Sequence, residues 1–451
     1  MPESPLMPQS PLMPQSPLQR QIAQMALDLA AKLESKAGQA PRGQILAECE
    51  SLLLHDGRQF LRDSLAATLQ QQIDDAEKKG GPARTCTCGQ NCRNKGVGSR
   101  DFLTAIGAIR LMRTSFSCPV CRLGGYLVDD YIGLEGRLSE QAAEMITLAG
   151  VHQSFRNGCL LLEKLAGWTT CHEIIRQTCY RQSDLAKKQR EAAPPEVESF
   201  RQAEGQMEFQ TDATTVNTLD GYRDMKIGVM AKRVPGEPAT PEQWDKRILP
   251  APTVRLAFAA IEEIETFAPQ WCSWAERLGL GDDRLSVLGD GAEWIWDHAD
   301  MQFANWQGTL DIYHAGEWLA KAAKAGCGEG TQDAAKWLKE ARLALLRDGY
   351  GGLCEYVGLS AEWVPDRAGL EAALPEVLNY FCGHQDRLNY VLRLRRGQPI
   401  GSGMIEGACK QLIGRRMKQT GAQWDVNNAN RMALLCSLAY ADSLPLYFNA
   451  A

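Results

Sequence analysis

The spacing of apolar residues changes abruptly after the segment EAAPPEVES, whose composition is that of a linker. Three successive segments then have the alternation and β-branched content of strands: QMEFQTDATTVNT, YRDMKIGVMAKR and TVRLAFAA. A helical segment, IEEIETFAPQWCSWAERLGL, follows them. The next segment, RLSVLGDGAEWIW, predicts a strand that ends at Asp290 and a helix after it. This order of elements predicts an α/β domain from about residue 200 onward.

Three strands, a helix and a fourth strand are the opening elements of a ribonuclease-H-like domain. In that order the first and fourth strands can pair in parallel, so Asp212 on the first would face Asp290 at the end of the fourth. Two adjacent carboxylates repel each other unless a cation lies between them, and Mg²⁺ or Mn²⁺ suits such a pair. The alternative is that each aspartate forms a turn or caps a helix.

A third acid, Glu406, lies in the stretch GSGMIEGACKQLIGRRMKQTGAQW, where it opens a predicted helix. Glu406 and Lys410 are four residues apart and hence on one helix face, and Ile413 and Met417 are expected to continue that stripe. Glu406 is either a charge-balancing partner on a solvated helix or the last ligand of a site whose other members lie upstream.

The bases after Glu406 are candidate contacts to DNA phosphates. They are Lys410, Arg415, Arg416 and Lys418. Trp424 is a candidate for stacking on an unpaired base, with packing in the core as the alternative.

Charge is distributed unevenly along the chain, whose formal net charge is -6. Residues 84–122 and 391–418 each carry seven Lys and Arg residues against one acid. A polyanion responds to local charge, so two basic islands in an acidic chain are compatible with nucleic-acid binding, and solvated surface is the alternative. No apolar run approaches the ~20 residues that span a bilayer, which favours a cytoplasmic protein without a membrane partner.

Five of the 15 cysteines cluster between Cys86 and Cys121, a pattern that favours metal binding over disulfides. Cys118 and Cys121 form a CPVC knuckle, whose spacing lets two thiolates bind one tetrahedral Zn²⁺. The residues between the cysteine groups predict a hairpin that turns at Gly107. Four sulfurs suffice for the site, so the choice among Cys86, Cys88 and Cys92 stays open.

The segment LAGWTTCHEIIRQTCYRQ has the outline of a helix-turn-helix, with a turn at Gly167 and Arg176 on the polar side of the second helix. Any helical hairpin gives a similar pattern, so DNA contact by Arg176 is one interpretation and a structural hairpin the other. At the N-terminus, MPESPLMPQSPLMPQSPL is a proline-rich hexapeptide repeat that predicts disorder. The segments after it have helical spacing and are expected to pack or dimerise.

The segments around Asp212, GDGAEWIW, DIYHAGEW and GSGMIEGACKQLIGRRMKQTGAQW together resemble bacterial insertion-sequence transposases of the DDE type, particularly the Kra-type family. The resemblance runs from the cysteine cluster to near the C-terminus. It implies a metal-binding acidic triad at Asp212, Asp290 and Glu406. The related Mutator-type transposases share a signature that matches DIYH, which implies that His314 orients or protonates an oxygen near the scissile phosphate. A structural, hydrogen-bonded histidine is the alternative.

The resemblance implies an enzyme that cleaves and joins strands of double-stranded DNA at the terminal inverted repeats of its own element and in target DNA. Because two ends of the element must be brought together, the resemblance also implies a homodimer or larger assembly on DNA. It implies a bacterial cytoplasmic protein that is nucleoid-associated when bound to DNA. Two other functions remain: a transposase-derived DNA-binding regulator, and a structure-selective nuclease of the same fold.

The predicted fold is a ribonuclease-H-like domain with an all-helical insertion, preceded by a zinc-binding hairpin and a helical DNA-binding region. The expected divisions are a disordered repeat (1–18), a helical region (19–80), a Cys-rich module (81–135), a helical region with the helix-turn-helix (136–192), the first part of the catalytic core (200–310), the helical insertion (311–396) and the end of the core with the glutamate helix (397–451).

Overall fold

The computed structural model describes residues 16–79, 85–126, 128–133, 136–281 and 283–448. The chain divides into two compact units, Met1–Thr178 and Cys179–Ala451. Helices accompany a three-stranded sheet in the first unit and a five-stranded sheet in the second, which confirms the mixed α/β class. No helix in these ranges combines the length and apolar character needed to cross a membrane.

Most of the proline-rich repeat lies outside the described residues, but its last three residues do not follow the prediction of disorder. The first helix already begins at Pro17. Ser16 accepts a hydrogen bond from the backbone N–H of Gln19 (3.1 Å), and the Gln19 side chain accepts one from the N–H of Ser16 (2.9 Å). This capping box, with proline at the first helical position, starts the helix before residue 19.

In the first unit, helices surround an antiparallel sheet of order β1-β2-β3. The elements are α1 (Pro17–Gln39), α2 (Ile45–Leu52), α3 (Arg58–Lys78), β1 (Arg93–Thr104), β2 (Gly107–Ser117), β3 (Gly124–Tyr126), α4 (Asp129–Ile132), α5 (Glu140–His152) and α6 (Phe155–Ala166). The last helix, α7 (His172–Ala192), runs past the division between the units. A π-helical turn, Leu53–Gly57, joins α2 to α3.

The core of the predicted zinc hairpin is completed by an N-terminal helix. Alternate residues of β2 are buried, so Ile109 and Leu111 face inward. Ile73 of α3 packs with them and with Phe102 of β1. Helix α3 of the N-terminal region therefore packs on the hairpin, and packing is one of the two roles expected for that region. Gly107 opens β2 with φ 118°, as the predicted turn requires.

In the second unit the strands lie in the order β6-β5-β4-β7-β8. The strands are β4 (Gln206–Thr218), β5 (Gly221–Arg233), β6 (Val254–Ala260), β7 (Leu285–Gly289) and β8 (Trp306–Leu310). β4 pairs with β5, and β5 with β6, in antiparallel fashion, whereas β4–β7 and β7–β8 are parallel. The first and fourth strands of this unit are thus adjacent and parallel, as predicted.

Helices cover this sheet and continue beyond it. They are α8 (Glu196–Gln202), α9 (Ile264–Phe267), α10 (Pro269–Arg277), α11 (Glu293–Gln302), α12 (Ile312–Cys327), α13 (Gln332–Ser360), α14 (Arg367–Gly383), α15 (Tyr390–Arg395), α16 (Gly403–Ala408), α17 (Arg415–Met417) and α18 (Val426–Tyr440). A π-helical segment, Cys409–Gly414, joins α16 to α17. Helices α12 to α15 occupy the predicted insertion, and they share one apolar core with the sheet, including Val287, Leu319 and Phe381.

Candidate active site and metal centre

Asp212 on β4 lies level with Asp290, the first residue after β7, when the register of these two parallel strands is continued past its last pair. The pairs between β4 and β7, such as Gln210 with Leu288, are all 78 residues apart in the chain, and so are Asp212 and Asp290. Alternation along β4 puts Gln210 and Asp212 on one face and buried Phe209 on the other, against Trp271. The sheet therefore brings together the two aspartates that the sequence singled out.

The charge of Glu406 acts on the Asp212 carboxylate, so these two side chains lie near each other. Burial is the main cause that raises the pKa of Asp212, and the charges of Asp290 and Glu406 raise it further. Cys409 Sγ donates to Asp212 Oδ2 at 3.7 Å. Burial, followed by the charge of Asp212, raises the pKa of Cys409 to about 12. Carboxylates from β4, the end of β7 and α16 thus act on one another although they are far apart in sequence.

Glu406 is exposed on α16 and forms an ion pair with Lys410, with 3.3 Å between Glu406 Oε2 and Lys410 Nζ. We expected Ile413 and Met417 to continue the helix face of Glu406 and Lys410. This prediction is wrong, because Glu406 and Lys410 are exposed whereas Ile413 and Met417 are 0% and 1% exposed. The π-helical segment explains the difference. Its wider turns shift every later residue around the helix axis relative to a regular α-helix.

Asp311, the first residue after β8, lies level with Asp290 but has another role. The pairs between β7 and β8 are 21 residues apart, as are Asp290 and Asp311. Asp311 Oδ1 accepts from the N–H groups of Tyr313 (2.5 Å) and His314 (3.2 Å), which caps α12. Its Oδ2 accepts from the N–H of Ser402 (2.7 Å) and from the Ser402 hydroxyl. Its carboxylate is thus committed to the protein's own donors.

The loop after β7 is held by α14, a contact that sequence reasoning missed. The Tyr380 hydroxyl donates to the carbonyl of Asp290 (3.0 Å). The His384 ring, just after α14, contacts the backbone of Gly291, and the charge of Asp290 acts on it. Gly291 has φ 95°, and a Cβ there would lie 2.3 Å from the Tyr380 hydroxyl. Burial, followed by the charge of Arg387, lowers the pKa of His384. No local pattern reveals this contact, because the residues are some 90 positions apart.

His314 lies in the first turn of α12. Its Nδ1 is 3.3 Å from Glu317 Oε2, and its backbone N–H binds Asp311. The charge of Asp290 acts on another histidine, His384. The predicted role for His314 at a scissile phosphate stays a prediction.

Two of the residues predicted to contact DNA are buried, which corrects that part of the prediction. Arg416 is 4% exposed and stacks over Trp424, 5.0 Å from the ring centroid, and Trp424 donates from Nε1 to the carbonyl of Met417 (3.1 Å). Neither side chain is presented to a ligand outside. Trp424 follows the core-packing alternative.

The other bases of this segment are exposed: Lys410, Arg415 and Lys418. The ammonium of Lys418 donates to Thr214 Oγ1, two residues beyond Asp212 on the same strand. A positive group thus lies on the same face of β4 as the candidate carboxylates.

The helical hairpin around Gly167 has the predicted form. Helix α6 ends at Ala166, Gly167 adopts φ 73°, and α7 begins at His172. Arg176 is partly exposed and forms an ion pair with Glu173, with 2.5 Å between Arg176 and Glu173 side-chain atoms. Chiefly because of this bond, the pKa of Glu173 falls to about 2.

Four cysteines of the first unit form a compact group. The sulfurs of Cys86, Cys88, Cys118 and Cys121 all lie within 4.8 Å of one another, and Cys92 is outside this group. The cysteines come from the segment before β1 and from the turn between β2 and β3, which the hairpin brings together. A set of four thiols at this spacing could hold a tetrahedral zinc ion.

Cys86 is the most acidic thiol of the group: a backbone N–H at Cys88, followed by the Cys121 side chain, lowers its pKa to about 6. A thiolate is the form that binds metal. In the ranges described, the three carboxylates Asp212, Asp290 and Glu406 do not form a group as tight as these cysteines.

No protein-family model matches the chain, and no curated protein is significantly similar to it. The geometry of the carboxylates and cysteines is therefore the basis for assigning a function.

Proposed function

We propose that the protein is a DDE-type DNA transposase whose second unit is a ribonuclease-H-like catalytic domain. The observation that carries this proposal is the level position of Asp212 on β4 and Asp290 at the end of the adjacent parallel strand β7, with the charge of Glu406 acting on Asp212. Three carboxylates from separate elements whose charges act on one another are suited to divalent-metal phosphoryl chemistry.

The donor set fits Mg²⁺ or Mn²⁺. Asp212, Asp290 and Glu406 offer hard oxygen ligands, and the raised pKa of Asp212 reflects a buried negative charge near two others. A divalent cation would relieve that repulsion and allow the acids to approach more closely. When bound, it supplies an activated oxygen nucleophile and stabilises the leaving oxygen of a phosphodiester.

The protein's own residues position the acids and the DNA. Asp311 anchors Ser402 ahead of the glutamate helix, and Tyr380 holds the loop of Asp290. Lys418 lies beside Thr214 on the strand of Asp212, where its ammonium would contact a phosphate next to the cleavage point. Exposed Lys410 and Arg415 would extend this contact along the backbone.

The first unit is proposed to recognise DNA ends. A structural Zn²⁺ on Cys86, Cys88, Cys118 and Cys121 would fix the hairpin, and the helical hairpin with Arg176 would contact duplex DNA. Joining two ends calls for two or more copies of the chain on DNA in a bacterial cytoplasm.

The test is cleavage and joining of DNA taken from either side of the gene, with its inverted repeats, in Mg²⁺ or Mn²⁺. Asp212→Asn, Asp290→Asn and Glu406→Gln are expected to lose both activities and to keep DNA binding. Asp220→Asn, in the exposed turn after β4, is the matched control and should remain active. Full activity of any of the three site variants would refute the triad.

Two outcomes would favour the other functions. DNA binding without cleavage by the unaltered protein would indicate a regulator. Cleavage without joined products would indicate a nuclease of the same fold.

A further inference from the structure

A cavity of about 310 Å³ lies on the same face of β4 as Asp212. Three segments form its walls: the loop after β5, the first turn of α12, and the residues just before and at the start of α16. Its floor includes Gln210, which is two residues from Asp212, or about 6.6 Å along a strand. Gly403 of its wall lies one helical turn before Glu406. The cavity is thus a neighbour of the candidate carboxylates.

Two aromatic side chains line this cavity. The Trp244 and Tyr313 rings are 5.7 Å apart between centroids and inclined by 58°. Arg342 stacks on Trp244 at 5.5 Å, whereas the Tyr313 side chain is 57% exposed. Tyr313 therefore presents an accessible aromatic surface to a flat ligand.

The position of Tyr313 is fixed from two sides. Its backbone N–H is held by the Asp311 carboxylate. Its ring packs so closely on Gly401 that a Cβ at residue 401 would lie 2.8 Å from the ring. A ring held in this way loses little entropy when a ligand stacks on it.

The charge and the volume of the cavity indicate which class of ligand it could bind. Arg247 lines the cavity with one acid, Asp245, and with Arg233, whose guanidinium is paired with Glu208 at 2.9 Å. A volume of about 310 Å³ is at the lower end of the range for ligand pockets, which suits a single flat group better than a larger molecule. Aromatic rings beside guanidinium groups are the usual surroundings of an unstacked nucleobase and its phosphate.

We propose that this cavity receives one unstacked base of the DNA strand whose phosphate lies at the carboxylates. The base stacks on Tyr313, and Arg247 faces the adjoining phosphate. The inference rests on the proposed function, because DNA must be the substrate of the neighbouring site. It assigns to Tyr313 the stacking role that was predicted for Trp424, which is buried.

The test uses the full chain and a duplex with a short single-stranded overhang, in which each overhang base in turn is the fluorescent analogue 2-aminopurine. With the unaltered protein we expect the fluorescence to fall on binding at one overhang position. Tyr313→Ala should abolish that fall and weaken binding about tenfold. Tyr222→Ala, on an exposed tyrosine at the start of β5, is the matched control and should behave as the unaltered protein.

A second variant fills the cavity instead of removing a wall. Gly403→Leu adds a side chain where a Cβ meets nothing within 4 Å, so it tests the cavity without opening the core. It should also abolish the fluorescence change. The inference is overturned if no position responds in the unaltered protein, or if both cavity variants respond as it does.

Failure of this inference is distinguishable from failure of the proposed function. Asp290→Asn should keep the fluorescence change and lose cleavage. If Asp290→Asn cleaves normally, the catalytic assignment fails, regardless of the fluorescence result. If it loses cleavage while Tyr313→Ala and Gly403→Leu leave the fluorescence change intact, only the base site fails.

Discussion

Asp311 and Ser402 are joined by two hydrogen bonds across 91 residues of chain, one from the serine N–H and one from its hydroxyl. The other oxygen of the same carboxylate caps α12. Asp311 is 1% exposed, so solvent does not compete for these bonds. One buried side chain thus begins a helix of the insertion and fixes the segment that carries Glu406.

Asp311→Ala should destabilise the protein by about 3 kcal/mol, because it removes a cap and leaves the Ser402 donors unsatisfied. Denaturant unfolding measures this change. Asp425→Ala is the matched control: Asp425 caps α18 by accepting from Asn428 N–H at 3.0 Å, but it is exposed, so about 1 kcal/mol is expected. Equal losses for the two variants would contradict the double role of Asp311.

Asp212→Asn should stabilise the fold at neutral pH while removing activity. The pKa of Asp212 is raised in the folded state, so its folding contribution is most favourable below the ordinary pKa of 3.8, where it is neutral, and is lost as the pH rises through the folded pKa. Asparagine stays neutral throughout. The gain in Tm should therefore be present at pH 7 and should vanish below pH of about 3.8. A gain of equal size at both pH values would indicate a packing effect instead.

Tyr380→Phe should lower metal-dependent activity by about 10–100-fold, the usual effect of removing a hydrogen bond that orients a metal-binding loop. The bond lost is the one to the Asp290 carbonyl. The activity loss should be accompanied by weaker apparent affinity for Mg²⁺, which a purely structural role would not change. Tyr356→Phe is the control, since its buried hydroxyl has no hydrogen-bond partner among the described residues. If both variants behave alike, Tyr380 does not position Asp290.

The cysteine group predicts which thiols are needed for zinc. Cys88→Ser should lower zinc content from about one ion per chain toward zero, and Cys92→Ser should retain it, because Cys92 lies outside the group. Metal analysis of the purified variants measures this. Acidification should release the ion, since bound thiolates must take up protons. Loss of zinc from Cys92→Ser alone would show that the ligand set differs.

Arg415 and Arg416 are neighbours in sequence with opposite surroundings. Arg415→Ala should reduce the salt dependence of DNA binding by about one unit of slope, as expected when one phosphate contact is lost, and leave stability unchanged. Arg416→Ala should instead lower stability, because its guanidinium packs over Trp424. Binding titrations at several salt concentrations and unfolding curves measure the two effects. The reverse result would mean that Arg416 is the residue that reaches DNA.

The sequence predicted the fold and the site best where local patterns and the order of the strands determine which residues meet. Alternation along β4, together with the order of three strands, a helix and a fourth strand, predicted the pairing of β4 with β7, and hence the level position of Asp212 and Asp290. The knuckle and hairpin likewise predicted a cysteine group, although only the folded hairpin distinguishes Cys88 from Cys92.

Contacts between distant segments could not be predicted in this way. The burial of Arg416, the hydrogen bond from Tyr380 and the place of His384 depend on how helices pack, which a local pattern does not encode. The π-helical segment after Ala408 also breaks the regular period that the prediction for Ile413 and Met417 assumed.

The pairing of β4 with β7 also has a consequence for the folding pathway. Partners 78 residues apart can meet only after a long loop has closed, and such contacts form slowly compared with helices and hairpins. A slip of one residue would put Gly289 or Gly291 level with Asp212 and turn the strand's side chains to the wrong face. During refolding, the ability to cleave DNA should therefore return later than helical content, and it would report whether the chain has found its correct register.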